Sequence, residues 1–164
     1  AVAKYSPDGK RTAKKDLGRM MMTYGNVYVA SIALGANYQQ AVNALAEAER
    51  YPGPAIVIAY CPCIAHGIKA GLGHSIIEER RAVECGYWPL YRFDPQRYAQ
   101  GETALTVDAP APDGTLQSYI DGEDRYADLK MTDPREAGIL QPELEQDCTQ
   151  IYSALSYQKK YGAK

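Results

Sequence analysis

The chain has 164 residues, 46% of them apolar and 23% charged. That composition supports one domain-sized core and excludes both wholesale disorder and a disulfide-dense miniature scaffold. A formal charge of −2 excludes a globally basic nucleic-acid binder, and the longest apolar runs, such as residues 55–59, fall far short of the ~18–20 residues that a membrane span needs.

The first twenty-five residues are mixed and basic with no apolar targeting stretch, and Ala1 in place of Met points to a processed or truncated chain. Thr12 is expected to cap a helix whose buried face is Leu17, Met20, Met21 and Tyr24 and which ends at Gly25. Its consecutive methionines diverge around the axis, so core packing outweighs a soft-metal role. Residues 26–34 (NVYVASIAL) are β-branched and aromatic and predict a strand stopped by Gly35. Asn37 then caps a helix with Gln40 at the capping-box position and Tyr38, Ala41, Val42, Leu45 and Ala48 on one face. The turn at residues 51–54 delivers a second strand, residues 55–60 (AIVIAY). Its unbroken apolar character predicts a central place in a parallel sheet.

Ser75 and Glu78 form a capping box for a helix running to about Cys85, and residues 87–93 supply a third strand, in which Pro89 argues for an edge position or a late start. Residues 94–114 carry scattered Pro and Gly and little periodicity, which predicts an irregular loop that wraps a neighbour. A short helix is expected within 115–129. Asp133 and Pro134 then open a terminal helical region broken near Gly138 and Pro142, with its last piece from Leu144 to about Tyr157. The expected architecture is α/β: a βαβαβ core with a mostly parallel sheet flanked by helices, and a helical C-terminal extension.

Charge is unevenly distributed. Residues 1–30 hold six basic and two acidic side chains, while residues 108–147 hold eleven acids against Arg125, Lys130 and Arg135. A solvated surface accounts for this better than a phosphate-binding face. Of the four cysteines, Cys148 shares a helical stripe with Leu144, Ile151 and Leu155, and Cys85 closes a helix before Gly86, so both are expected to be structural. With no targeting stretch, the set suits a reducing cytoplasm better than two disulfides.

Chemistry concentrates at Cys61-Pro62-Cys63, at the carboxyl end of the second strand, where open α/β sheets place ligands. Two cysteines cannot complete a four-ligand zinc or iron–sulfur site, although His66 could add a nitrogen. Metal ligation, a redox thiol and a structural pair all remain open on spacing alone. The glycines Gly67, Gly71 and Gly73 fit neither phosphate-loop pattern and suggest a tight connection. No triad, nucleophile elbow or paired-carboxylate spacing marks a self-contained hydrolase.

The stretches KRTAKKDLG (10–18), YGNVYVASIALGANYQQ (24–40), AEAERYPGPAIVIAYCPCIAHGIKAG (46–71) and AVECGYWPLYRFDP (82–95), with PDG (112–114) and RYADL (125–129), closely resemble the C-terminal part of pyruvate:ferredoxin (flavodoxin) oxidoreductases. The resemblance implies that residues 1–130 are the C-terminal half of a thiamine-diphosphate-binding domain and 131–164 a helical extension. It implies an enzyme that decarboxylates pyruvate oxidatively on thiamine diphosphate and Mg²⁺, forms acetyl-CoA from coenzyme A, and passes electrons through [4Fe–4S] clusters to ferredoxin or flavodoxin. Cys63 matches the fourth thiolate of the cluster nearest the thiamine, its companion ligands lying far upstream in the family. Cys61 falls where relatives often carry serine or alanine. The family's Gly-Asp-Gly and Asn-Thr diphosphate motif does not occur in this sequence, so the chain alone is expected to be inactive. In that setting it is cytoplasmic, part of a homo-oligomeric enzyme, and without nucleic-acid or membrane partners. The alternative is a non-catalytic α/β scaffold or binding module split from such an enzyme, docking a neighbour through residues 94–114.

Overall fold

The computed structural model describes residues 15–63 and 67–162. Strand β1 (Tyr28–Ile32) lies between β2 (Ala55–Ala59) and β3 (Tyr91–Phe93), with β4 (Leu105–Val107) outside β3. β1 and β2 are parallel, registered from Tyr28 opposite Ala55 to Ile32 opposite Ala59. The β1–β3 and β3–β4 pairs are antiparallel. The fold is α/β as expected, but the mostly parallel sheet is corrected to a mixed one. After helix α3 (Ser75–Glu84), Gly86 adopts a φ of 80° and the Trp88 N–H bonds the Ala82 carbonyl, so the chain doubles back instead of completing a second parallel crossover.

Among the described residues β2 is an edge strand, not a central one, with residues exposed or half-buried. Its continuous apolar character reports that it offers two apolar faces; it does not count the strands that pair with it. Tyr28, Ala30 and Ile32 of β1 pack on Ala41 and Ala44 of α2 (Tyr38–Arg50). On the opposite face Val29, Tyr91, Phe93 and Leu105 meet Met22 of α1 (Leu17–Met22) and Leu155 of α6 (Pro134–Tyr161). A third cluster, beyond the carboxyl ends of β1 and β2, joins Ala33 and Tyr60 to Val83 and Leu90, and to residues of α4 (Leu116–Asp121) and α5 (Asp124–Thr132).

Two helices present other faces than their sequences suggest. Asn37 caps α2 by accepting from the Gln40 N–H, but the Gln40 side chain turns under the helix, donating to the Ser31 carbonyl and the Asp108 carboxylate, both at 3.1 Å. That buried amide sets the rotation: alanines face the sheet, while Tyr38, Val42 and Leu45 are exposed. In α1 the cap is Asp16, and Thr12 lies outside the described residues. Gly18 and Met22 face inward, leaving Leu17, Met20 and Tyr24 exposed. A Cβ on Gly18 would sit 1.8 Å from the Tyr91 hydroxyl, so only glycine permits this approach.

Ser75 is the first residue of α3, following a tight turn at Leu72–His74, and the expected capping box does not form. Its hydroxyl bonds the Leu72 carbonyl, and Glu78 is buried beside Arg81. Residues 94–114 are not an irregular loop. They hold a 3₁₀ turn (Pro95–Gln100), capped by Asp94, and then β4, which returns along β3. The helix expected within 115–129 is two helices, α4 and α5, separated at Gly122 and Glu123. Asp133 caps α6 as expected, but the helix runs unbroken through Gly138 and Pro142. Proline forfeits one N–H bond, to residue 138, and packing of α6 on α5 and β4 outweighs that loss. Among the described residues no helix is long and apolar enough to cross a membrane.

Candidate functional site

The parallel ladder extends one residue past β2, where the Tyr60 N–H donates to the Ile32 carbonyl at 2.9 Å. Tyr60 is buried, and the chain then emerges as Cys61, Pro62 and Cys63 at the carboxyl end of the β1–β2 pair. Both of these cysteines are exposed thiols, while Cys85 and Cys148 are buried, and none of the four is in a disulfide. Burial pushes the Cys85 thiol up to about 11, which keeps it protonated and inert. The burial of Cys85 and Cys148 follows the sequence expectation. His66 lies outside the described residues. Among the described residues no three His, Cys, Asp or Glu side chains are grouped to hold a metal ion. Among the described residues, then, Cys61 and Cys63 have too few neighbouring donors to close a four-ligand site.

Behind the cysteines lies a buried polar cluster that sequence analysis missed. The hydroxyls of Tyr60 and Tyr119 are 2.5 Å apart, and both reach Glu123 Oε1, at 3.3 and 3.0 Å. Glu123 also forms an ion pair with Arg125, whose guanidinium lies 5.0 Å from the Tyr126 ring centroid and 5.7 Å from that of Tyr87. The Tyr126 hydroxyl donates to that of Tyr87 at 3.0 Å. Burial is the largest cause that pushes the Tyr60 and Tyr119 hydroxyls above their ordinary range, and the negative charge of Glu123 adds to it in both, so both stay neutral. One compositional signal pointed this way: the chain has 14 tyrosines against one phenylalanine, so its aromatic core must accommodate hydroxyls.

The same corner receives the chain beyond the cysteines. Ile68 bridges to Glu123, the Lys69 N–H donates to the Gly122 carbonyl at 3.0 Å, and the Asp124 N–H donates to the Gly67 carbonyl at 3.4 Å. A Cβ on Gly67, whose φ is 66°, would stand 2.0 Å from Asp124 Oδ2. Gly67 thus faces the chain's own Asp124 carboxylate, whose negative charge would repel a phosphate, which supports a tight connection over a phosphate cradle. A shallow cleft of about 160 Å³ opens on the α1 side of the sheet, lined by Leu17, Gly18, Ser31, Ile58, Trp88 and Pro89 among others. Lys15, Asp16, Tyr87 and Tyr91 supply its polar lining.

Two exposed thiols, Cys61 and Cys63, thus stand at the carboxyl end of a parallel strand pair in an α/β chain. No family model matches the chain. It is 51% identical over 147 residues to the pyruvate-flavodoxin oxidoreductase of Klebsiella pneumoniae and 47% identical over 147 residues to the pyruvate:ferredoxin oxidoreductase of Moorella thermoacetica. It is also 44% identical over 149 residues to the mitochondrial pyruvate dehydrogenase [NADP(+)] of Euglena gracilis. These matches cover 90–91% of this chain but only 8–13% of the relatives' length. The chain corresponds to one segment of the pyruvate:ferredoxin and pyruvate:flavodoxin oxidoreductases, and the resemblance stated from its sequence holds over nine-tenths of its length.

Proposed function

We propose that this chain works as part of an oxidoreductase that converts pyruvate and coenzyme A to acetyl-CoA and CO₂ and delivers the electrons through iron–sulfur clusters to ferredoxin or flavodoxin. Residues 1–130 form the C-terminal half of its thiamine-diphosphate-binding domain and 131–164 a helical extension. Cys63 supplies one thiolate to a [4Fe–4S] cluster whose other ligands come from the rest of the enzyme. The observation that carries this is the exposed Cys63 thiol at the carboxyl end of β2, with no closed ligand set around it among the described residues. A soft thiolate suits iron, and burial of the cluster by further polypeptide would set its potential.

Thiamine diphosphate with Mg²⁺ supplies the electron-sink chemistry of decarboxylation in the parent enzyme. The Gly-Asp-Gly and Asn-Thr pieces that would hold it are absent from this sequence, so the chain alone is inactive. The enzyme is cytoplasmic and homo-oligomeric, with no nucleic-acid or membrane partner. Its remaining polypeptide packs on the free edge of β2 and on the exposed Tyr38, Val42 and Leu45 of α2.

The test is cluster content in the complete enzyme. Cys63→Ala is expected to lose about four iron and four acid-labile sulfide per protomer together with one cluster EPR signal, whereas Cys61→Ser leaves both unchanged. Full iron content and unchanged spectra in Cys63→Ala would remove the ligand assignment.

A further inference from the structure

We infer that Glu123 is a positioning residue for Cys63, clamping the chain on both sides of the cysteine pair onto the corner between α4 and α5. The inference rests on Cys63 being a cluster ligand. Its own basis is separate, and lies in how the flanking segments are tied.

On the upstream side, Tyr60 is buried and its hydroxyl shares Glu123 Oε1 with Tyr119. On the downstream side, Ile68 bridges to the backbone of Glu123, with the Lys69 N–H on the Gly122 carbonyl and the Asp124 N–H on the Gly67 carbonyl. Glu123 is thus the residue both flanks share, by side chain on one side and by main chain on the other. Only 3% of it is exposed, and its carboxylate also pairs with Arg125, whose guanidinium lies near the rings of Tyr87 and Tyr126.

A buried carboxylate with an arginine and two tyrosine donors is costly to assemble and rigid once complete. This one fastens a segment whose two thiols are otherwise surface-exposed. A thiolate contributed to a cluster held by other polypeptide must arrive in a fixed place, because a ligand displaced by about an ångström weakens the bond it makes. None of these groups touches the thiols in the described contacts, so the role is positioning and not ligation.

The experiment uses the complete enzyme under anaerobic conditions, with Glu123→Ala, Glu123→Gln, Tyr60→Phe and the control Asp121→Asn. Asp121 lies on the same corner but pairs outward with Lys130 and Gln117. The readouts are the rate of iron release to a chelator, the EPR line shape of the cluster that Cys63→Ala removes, and the melting temperature. Glu123→Ala is expected to release that cluster's iron about tenfold faster with an altered line shape. Glu123→Gln, which still accepts from Tyr119 but loses the Arg125 ion pair, should fall between Glu123→Ala and the parent, and so should Tyr60→Phe. Asp121→Asn should match the parent.

Should Glu123→Ala fail to fold, Glu123→Gln and Tyr60→Phe decide. A lowered melting temperature with parental release rate and line shape means a merely structural role and overturns the inference. If Cys63→Ala keeps its full cluster complement, the ligand assignment falls and the inference falls with it. If Cys63→Ala loses the cluster while the Glu123 and Tyr60 variants behave as the parent, the inference alone falls.

Discussion

Several side chains of this chain are acids held neutral by their surroundings. Burial raises the Cys85 thiol to about 11, and it likewise raises Tyr28, Tyr60, Tyr91, Tyr119 and Tyr126 above the ordinary tyrosine range. Each such group binds its proton more tightly folded than unfolded. The stability this represents is complete below the unfolded pKa and is lost as pH climbs toward the folded value. For Cys85 the window runs from 9.0 to about 11, and its share is at most ~3 kcal/mol. The tyrosines add to the same slope from about pH 10 upward. The melting temperature is therefore expected to be level to about pH 8 and to fall steeply by about pH 10, with Cys85→Ala showing a shallower fall. An unchanged melting temperature across that window would contradict the burial of these groups.

At the scale of elements, α6 carries two poor helix formers, Gly138 and Pro142, and remains continuous. A Cβ at Gly138 would meet nothing within 4 Å, so Gly138→Ala removes backbone freedom from the unfolded chain without a clash. It should stabilise the protein by ~1 kcal/mol, measured as a higher denaturant midpoint with an unchanged slope. A lower midpoint would mean that the helix bends through that glycine.

The break expected there shows where sequence patterns stop. Local rules located β1, α2, β2 and the cap of α6, because each rests on residues within a turn or two of one another. They missed the inward face of α1 and the rotation of α2, which depend on Tyr91 admitting only glycine and on Gln40 reaching Asp108 across 68 residues. Strand β3 fell within the strand expected at residues 87–93, whereas β4, of three residues, is too short for periodicity to register. The place of Cys63 at a strand end was legible. The tyrosine and glutamate corner behind it was not, since Tyr60 is 59 residues from Tyr119 and 63 from Glu123.

For the whole molecule, the decisive feature is the open edge of β2. Tyr60 N–H and the Pro54 carbonyl both bond β1, so by the two-residue repeat the polar groups of Ile56 and Ile58 face β1. Those of Ala55, Val57 and Ala59 face outward, where no strand of the described residues lies. An apolar edge with unpaired backbone is one that folded proteins cover. The relatives are roughly eight to twelve times longer than the stretch matched here, which leaves ample polypeptide to cover it. Amide exchange separates the two situations. In the 164-residue chain, Val57 and Ala59 should exchange much faster than Ile56 and Ile58. In the complete enzyme all four should be slow, because the outward amides then also have partners. Fast exchange at Val57 and Ala59 in the complete enzyme would mean that this edge faces solvent there too, and that the rest of the polypeptide meets the chain elsewhere.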